Sequence, residues 1–214
     1  MIPVALQSKL AGKRAQTASA LVIYSAISVL FFGTPIIHNF SQTYIGGGAD
    51  PIVYMWALAW WPHAILNHLN PFITRLLWAP TGYNLVWATS IPGPSLVFYP
   101  VTCLFGPVVS YNILCLICPS AAALCAFALC RYVCGRFWPA LLGGYVFGFS
   151  PYVLSQMLGH MVEMFIFPVP LAGYLMLLRM DKKVSQYGFV TFLVIILLFH
   201  FLRSSEVFAT TTVF

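Results

Sequence analysis

"VVSYNILCLICPSAAALCAFALC", residues 108–130, runs for 23 residues without a charge and is followed closely by Arg131 and Arg136. At about 1.5 Å per residue a helix of that length extends about 34 Å, enough to cross a hydrocarbon core about 30 Å thick. The rest of the chain has the same character. Of its 214 residues 61% are hydrophobic and only 7% charged, with a mean hydropathy of +0.90, whereas a soluble domain carries about a quarter charged residues. The fold class these values predict is all-α: a polytopic transmembrane helical bundle. A net charge of +6 raises the question of nucleic acid, but the ten Lys and Arg residues fall mostly into three short clusters. A nucleic-acid surface would gather them on one face among aromatic residues. They read instead as topology signals, with no nucleic-acid partner. The six cysteines lie between Cys103 and Cys134 inside apolar sequence, the "CLIC" pair Cys115 and Cys118 included. A zinc or redox site needs accessible loops and partner ligands, so these read as small, polarizable packing residues.

The basic clusters set the expected layout. Lys9, Lys13 and Arg14 precede a first apolar run, residues 20–37, that ends in "GTPIIHNF" rather than in a small-x-small cleavage site. This reads as an uncleaved first span with residues 1–19 cytoplasmic, in the inner (plasma) membrane of the cell. If the second cluster (Arg131, Arg136) and the third (Arg179, Lys182, Lys183) are cytoplasmic as well, an even number of spans separates each pair. Residues 95–106 form a short run carrying Pro100, about 18 Å as a helix, and are predicted to be re-entrant or interfacial. Five spans remain, at residues 20–37, 108–130, 138–154, 164–178 and 187–202, and residues 20–214 form a single transmembrane domain. Two segments face outward: a large loop, residues 38–107, and a short one, residues 155–163. Asp181, in "RMDKK", is a solvated loop charge on the cytoplasmic side.

The outer loop contains "YIGGGADPIVYMWALAWW", residues 44–61, and with it one of only four acidic residues. Its tryptophans (Trp56, Trp60, Trp61, Trp78, Trp87) suit a membrane–water interface. An interfacial helix is expected from Pro51 onward, with Asp50 as N-cap, Pro51 at the first helical position and a kink at Pro62. "NPFITRLLWAPTGYNL" offers a second short helix, capped at Asn70 and ended by "APTG". Asp50 has two readings. As a cap, its carboxylate accepts the free N–H groups of the helix start. As a functional group, it accounts for the glycines before it, because Gly47 and Gly48 allow backbone to approach a ligand closely, and a carboxylate at membrane level is costly without a task. His160 and Glu163 in "GHMVEM" stand three apart and would share a helical face, as a self-satisfying pair or as a functional one. Arg75, the sole Lys or Arg of the outer loop, either snorkels at the interface or meets a phosphate. His63 and His68 differ by five and share a face too poorly for a zinc site. Arg203 and Glu206 are placed to pair at the exit of the last span.

A cytoplasmic N-terminus, one span, and a large outer loop with an early aspartate and interfacial helices resemble the GT-C superfamily of integral-membrane glycosyltransferases, which includes protein O-mannosyltransferases and lipid A aminoarabinose transferases. The stretch from "GPVVSYNILCLICPSAAALC" through "CRYVCGRFWPALLGGYVFGFSPYVLSQMLGH" is similar to their second and third spans with a basic turn between. The resemblance implies a polyprenyl-phosphate-linked sugar as donor, membrane lipids as surroundings, and an acceptor hydroxyl at the outer face. It assigns Asp50 as catalytic base; Arg75, His160, Glu163, Gly47 and Gly48 are the candidate substrate-binding residues. Asp50 lacks a second adjacent acid, so a divalent metal is left open. The family has more spans, and the ending "EVFATTTVF" reads as that of a fragment. Two other classes are carried beside this one. A transporter or flippase-like protein would use Asp50, His160 and Glu163 on a substrate path, and a non-catalytic membrane subunit would need no outer acid.

Overall fold

In the computed structural model, which describes residues 4–213, nearly all regular structure is helical. Among the described residues, four segments have the length and hydropathy to cross a membrane: Gly12–Asn39, Pro107–Cys134, Met161–Met180 and Gln186–Arg203. The chain is an all-α membrane protein built as two compact units. One comprises Met1–Pro35, Leu116–Ser155 and Met164–Thr191; the other comprises Ile36–Cys115, Gln156–Glu163 and Phe192–Phe214.

Helix α1 (Val4–Ser28) continues through a π turn, Val29–Gly33, into a 3-10 stretch, Thr34–Asn39. Pro35 has no N–H to give and its ring crowds the carbonyl four residues back, and the α pattern gives way to π and 3-10 turns around it. Helix α2 spans Asp50–Leu66 and runs through Pro62. Two strands, β1 (Ile73–Thr74) and β2 (Tyr83–Asn84), pair antiparallel with Ile73 opposite Asn84 and Thr74 opposite Tyr83. Then come α3 (Pro92–Val97), α4 (Tyr99–Phe105), α5 (Pro107–Cys134), α6 (Phe137–Gly148), α7 (Pro151–Gln156), a 3-10 turn at Met161–Met164, α8 (Pro168–Met180), α9 (Gln186–Arg203) and α10 (Ser205–Val213).

The first unit is organised by small residues. Ala20, Tyr24 and Ser28 recur every fourth position on α1 and are fully buried, one stripe of a 3.6-residue period. Ala20 and Tyr24 form its core with Ala123, Phe127, Ala140 and Phe149. The Ser28 hydroxyl donates to Leu116 O at 2.7 Å and that of Tyr24 to Leu141 O at 2.7 Å. A Cβ at Gly148 would stand 2.5 Å from Ala123 Cβ, so α6 approaches α5 as closely as only glycine permits.

The stretch 138–154 is divided. α6 stops at Gly148 and α7 starts at Pro151, because the residue before a proline is pushed out of the helical region. At 12 and 6 residues neither helix alone reaches the length of a span. Residues 95–106 are likewise divided between α3 and α4, with the break at Phe98.

In the second unit α2 packs on α3 and α4, with Ala57, Leu58, Trp60, Trp61 and Ala64 buried. Two local expectations are corrected here. The second helix, expected after Asn70, is a hairpin: Asn70 Oδ1 accepts from Phe72 N at 3.0 Å in a side-chain turn, and β-branched Ile73 and Thr74 then extend. Gly82, at φ +80°, closes the loop, where a Cβ would lie 2.8 Å from Thr74 O. Nor is Asp50 the N-cap of α2. Ala49 holds that position, with no side-chain capping bond, and Ala49 O accepts from Ile52 N at 3.1 Å. Asp50 is the first helical residue, and its carboxylate is engaged elsewhere.

Candidate functional site

The loop that leads into Asp50 is held from two sides. The first hold comes from α5, where Asn112 and Tyr111 are buried. Asn112 Oδ1 accepts from Ile45 N at 3.0 Å, and its Nδ2 donates to Phe40 O at 2.9 Å and Thr43 O at 2.8 Å. The Tyr111 hydroxyl donates to Ile45 O at 3.1 Å. An amide in an apolar helix is tolerated only with its hydrogen bonds made. Here all of them go to one loop. The second hold comes from the turn after α7. Gly47 N donates to Leu158 O at 2.7 Å. Gly46 has φ +91°, and a Cβ there would stand 2.8 Å from both Met157 O and Leu158 O. The glycines thus lie backbone to backbone on residues 157–159.

That contact delivers His160 to Asp50. Nδ1 of His160 lies 3.1 Å from Asp50 Oδ2, with the two side chains 59% and 53% exposed. A pair so exposed contributes only about 0–1 kcal/mol to stability. Stability is therefore a poor reason for two backbone clamps to end at this pair. With Nδ1–H donated to the carboxylate, the lone pair of the neutral imidazole is on Nε2, an acceptor pointing away from Asp50. One turn along α2, Tyr54 is buried. Burial first, and then the charges of Asp50 and Glu163, push its phenol up to about 12. A neutral O–H group thus stays beside two carboxylates across the physiological range.

Of the residues singled out from sequence, Asp50, His160, Gly47 and Glu163 gather here. Glu163 is half-buried in the 3-10 turn, with its N–H on His160 O at 2.9 Å. Gly48, at φ +83°, has open space where a side chain would stand. Arg75 is exposed in the hairpin, directly after β1. Three residues were not singled out: Tyr54, whose spacing of four from Asp50 was a readable signal; Asn112, the amide within the apolar run; and Arg203 as a tie. Arg203 does not turn to Glu206. It is fully buried, donating to Val162 O at 2.6 Å and lying 3.2 Å from His200 Nδ1, so it anchors the turn that carries His160 and Glu163. Next to it is a cavity of about 440 Å³, walled by Trp61, Phe72, Trp87 and Phe201 and edged by Ser204 and Glu206.

Asp50 and His160 engage each other, and among the described residues no group of three His, Cys, Asp or Glu converges, the number that a zinc site held by protein alone requires. Nor, among the described cysteines, is there a disulfide; Cys115 and Cys118 are buried. Comparison of the chain with protein-family models, with curated proteins and with solved structures finds no match.

Proposed function

We propose that the protein is a membrane glycosyltransferase of the GT-C kind, moving a sugar from a polyprenyl phosphate to an acceptor hydroxyl at the extracytoplasmic face. The observation that carries this reading is the Asp50–His160 contact: an exposed carboxylate–imidazole pair, beside open glycine backbone, in a helical membrane protein. Asp50 holds Nδ1–H of His160 and fixes its tautomer. Nε2 takes the proton of the acceptor hydroxyl while that oxygen attacks the anomeric carbon. The bond from the anomeric carbon to the phosphate oxygen breaks with its electron pair on that oxygen. The polyprenyl phosphate leaves as an anion, and the configuration inverts. Arg75, exposed and cationic, supplies a charge for that phosphate. The aromatic-walled cavity offers apolar surface to the isoprenoid chain.

The test is sugar transfer in proteoliposomes with a radiolabelled polyprenyl-phosphate sugar as donor. Asp50→Asn and His160→Gln should each lower the rate by roughly two to four orders of magnitude, the usual worth of a positioned base. Because Asp50 makes no capping bond and the pair is exposed, thermal stability should move by less than about 1 kcal/mol. Near-parental transfer by either folded variant overturns the assignment.

A further inference from the structure

The first unit contains a second place where chemistry converges, and the proposed reaction does not use it. A cavity of about 380 Å³ is lined by one cation from each of the three basic clusters: Lys13, Arg131 and Lys183. Its volume is that of a small-ligand site. Among the described residues, two of the cations make no ion pair with a carboxylate. Arg131 is held by the neutral side chain of Gln16, and Lys13 is exposed on α1. Lys183 is the compensated one: its Nζ donates to the Tyr132 hydroxyl at 2.6 Å, lies 3.2 Å from Asp181 Oδ2, and sits 4.3 Å from the Tyr132 ring centre. Tyr132 and Tyr174 meet edge to face at 5.5 Å on the cavity wall.

Depth decides what such a site takes. Lys13 is at the start of the segment Gly12–Asn39, Arg131 at the end of Pro107–Cys134, and Lys183 just beyond the end of Met161–Met180. Three candidate spans therefore bring their charged ends to one cavity, and span ends lie at the level of lipid headgroups. One turn inside Arg131 the wall is Ala128, and Tyr174 lines the same cavity; both are partly exposed. A free inorganic anion gains nothing from that apolar surface; the glycerol and first methylenes of a lipid do. Arg131 presents a planar fork that matches a phosphate.

We propose that this cavity is a binding site for the headgroup of an anionic phospholipid, its phosphate between Arg131 and Lys13 and its glycerol against Ala128 and Tyr174. The site is separate from the Asp50–His160 pair, and its occupation stabilises the fold rather than supplying chemistry.

The test uses the full chain in neutral detergent, with lipid retention read by native mass spectrometry and thermal stability by tryptophan fluorescence. Dioleoylphosphatidylglycerol should be retained at one molecule per chain and raise the melting temperature; dioleoylphosphatidylcholine should do neither. At about fivefold per cation near a lipid phosphate, Lys13→Gln with Arg131→Gln should weaken retention about 25-fold. Lys182→Asn, which removes an exposed charge outside the cavity, should keep it. Equal retention of the two lipids, parental retention by the double variant, or an equal loss in Lys182→Asn overturns the proposal. Displacement of the lipid by millimolar inorganic phosphate overturns the lipid as ligand and makes this a free-anion site.

Discussion

Asn112→Leu separates the clamp from the pair it holds. The side chain is fully buried and makes three hydrogen bonds to one loop: from Ile45 N, and to Phe40 O and Thr43 O. Leucine keeps the volume and removes all three. Ile45 is itself buried, so its N–H loses its partner without gaining water, at about 1–3 kcal/mol. Thr43 is exposed and Phe40 half-buried, so their carbonyls recover water and lose about 0.5–1 kcal/mol each. The local cost is about 2–4 kcal/mol once leucine's own packing is allowed for. Because a factor of ten corresponds to about 1.4 kcal/mol, amide exchange at Ile45 and Gly47 should accelerate between about 30-fold and 1,000-fold. Hydrogen exchange of the full chain in nanodiscs, read on a peptide covering residues 40–50, measures it. Asn112→Asp should be no milder: it keeps an acceptor for Ile45 N but turns oxygen toward two carbonyls. Unchanged exchange of this peptide in a folded Asn112→Leu chain would refute the clamp, and with it the explanation of how Asp50 reaches His160.

Two further outcomes follow from the same loop. Gly46→Ala places a methyl 2.8 Å from two backbone carbonyls at φ +91°, while Gly47→Ala meets nothing within 4 Å. The first should lower stability by about 1–3 kcal/mol and reduce transfer, the second should leave stability nearly unchanged, and equal melting temperatures would be the contrary result. Burial, and then the charges of Asp50 and Glu163, push the Tyr54 phenol up to about 12 from its ordinary value of 10.0. The raised value favours the neutral form, so its contribution to stability is complete below pH 10 and is lost as pH rises from 10 to 12. Tyrosinate absorbance should show this step, Tyr54→Phe should abolish it, and Asp50→Asn should shift it downward by removing one of the two charges.

The membrane character and helical class were legible because composition and run length report directly on transfer out of water, which is local to each segment. The whole run at residues 108–130 lies within α5, which continues to Cys134. Legibility failed where a single residue type redirects the backbone. Pro151 divided residues 138–154 into α6 and α7, and the Asn70 turn with β-branched Ile73 and Thr74 produced a hairpin where helical length alone suggested a helix. At the site, Asp50 and the glycines stood out in sequence, but their purpose did not. Gly46 and Gly47 are read by the carbonyls of Met157 and Leu158, and that partner lies far along the chain where no spacing rule reaches. Asp50 was misjudged as a cap for the same reason: aspartate before proline satisfies the local rule, and the competing partner, His160, is not local.

The energies divide the labour within this region. An exposed ion pair contributes about 0–1 kcal/mol, whereas the fully buried Asn112 makes three bonds, one of them from the buried Ile45 N–H, whose loss costs about 2–4 kcal/mol, and a side chain at Gly46 meets two backbone carbonyls. Stability therefore resides in the clamp and hardly at all in the pair. If fold maintenance were the only constraint on residues 46–50 and 157–160, Asp50 and His160 would be the positions freest to change, and Gly46 and Asn112 the least free. A catalytic pair reverses that expectation for activity while leaving it intact for folding: Asp50→Asn and His160→Gln lose transfer and keep the melting temperature, Gly46→Ala and Asn112→Leu lose both. A protein in which all four substitutions track stability alone has no acid–base pair here, and Asp50 would be no more than the first residue of α2.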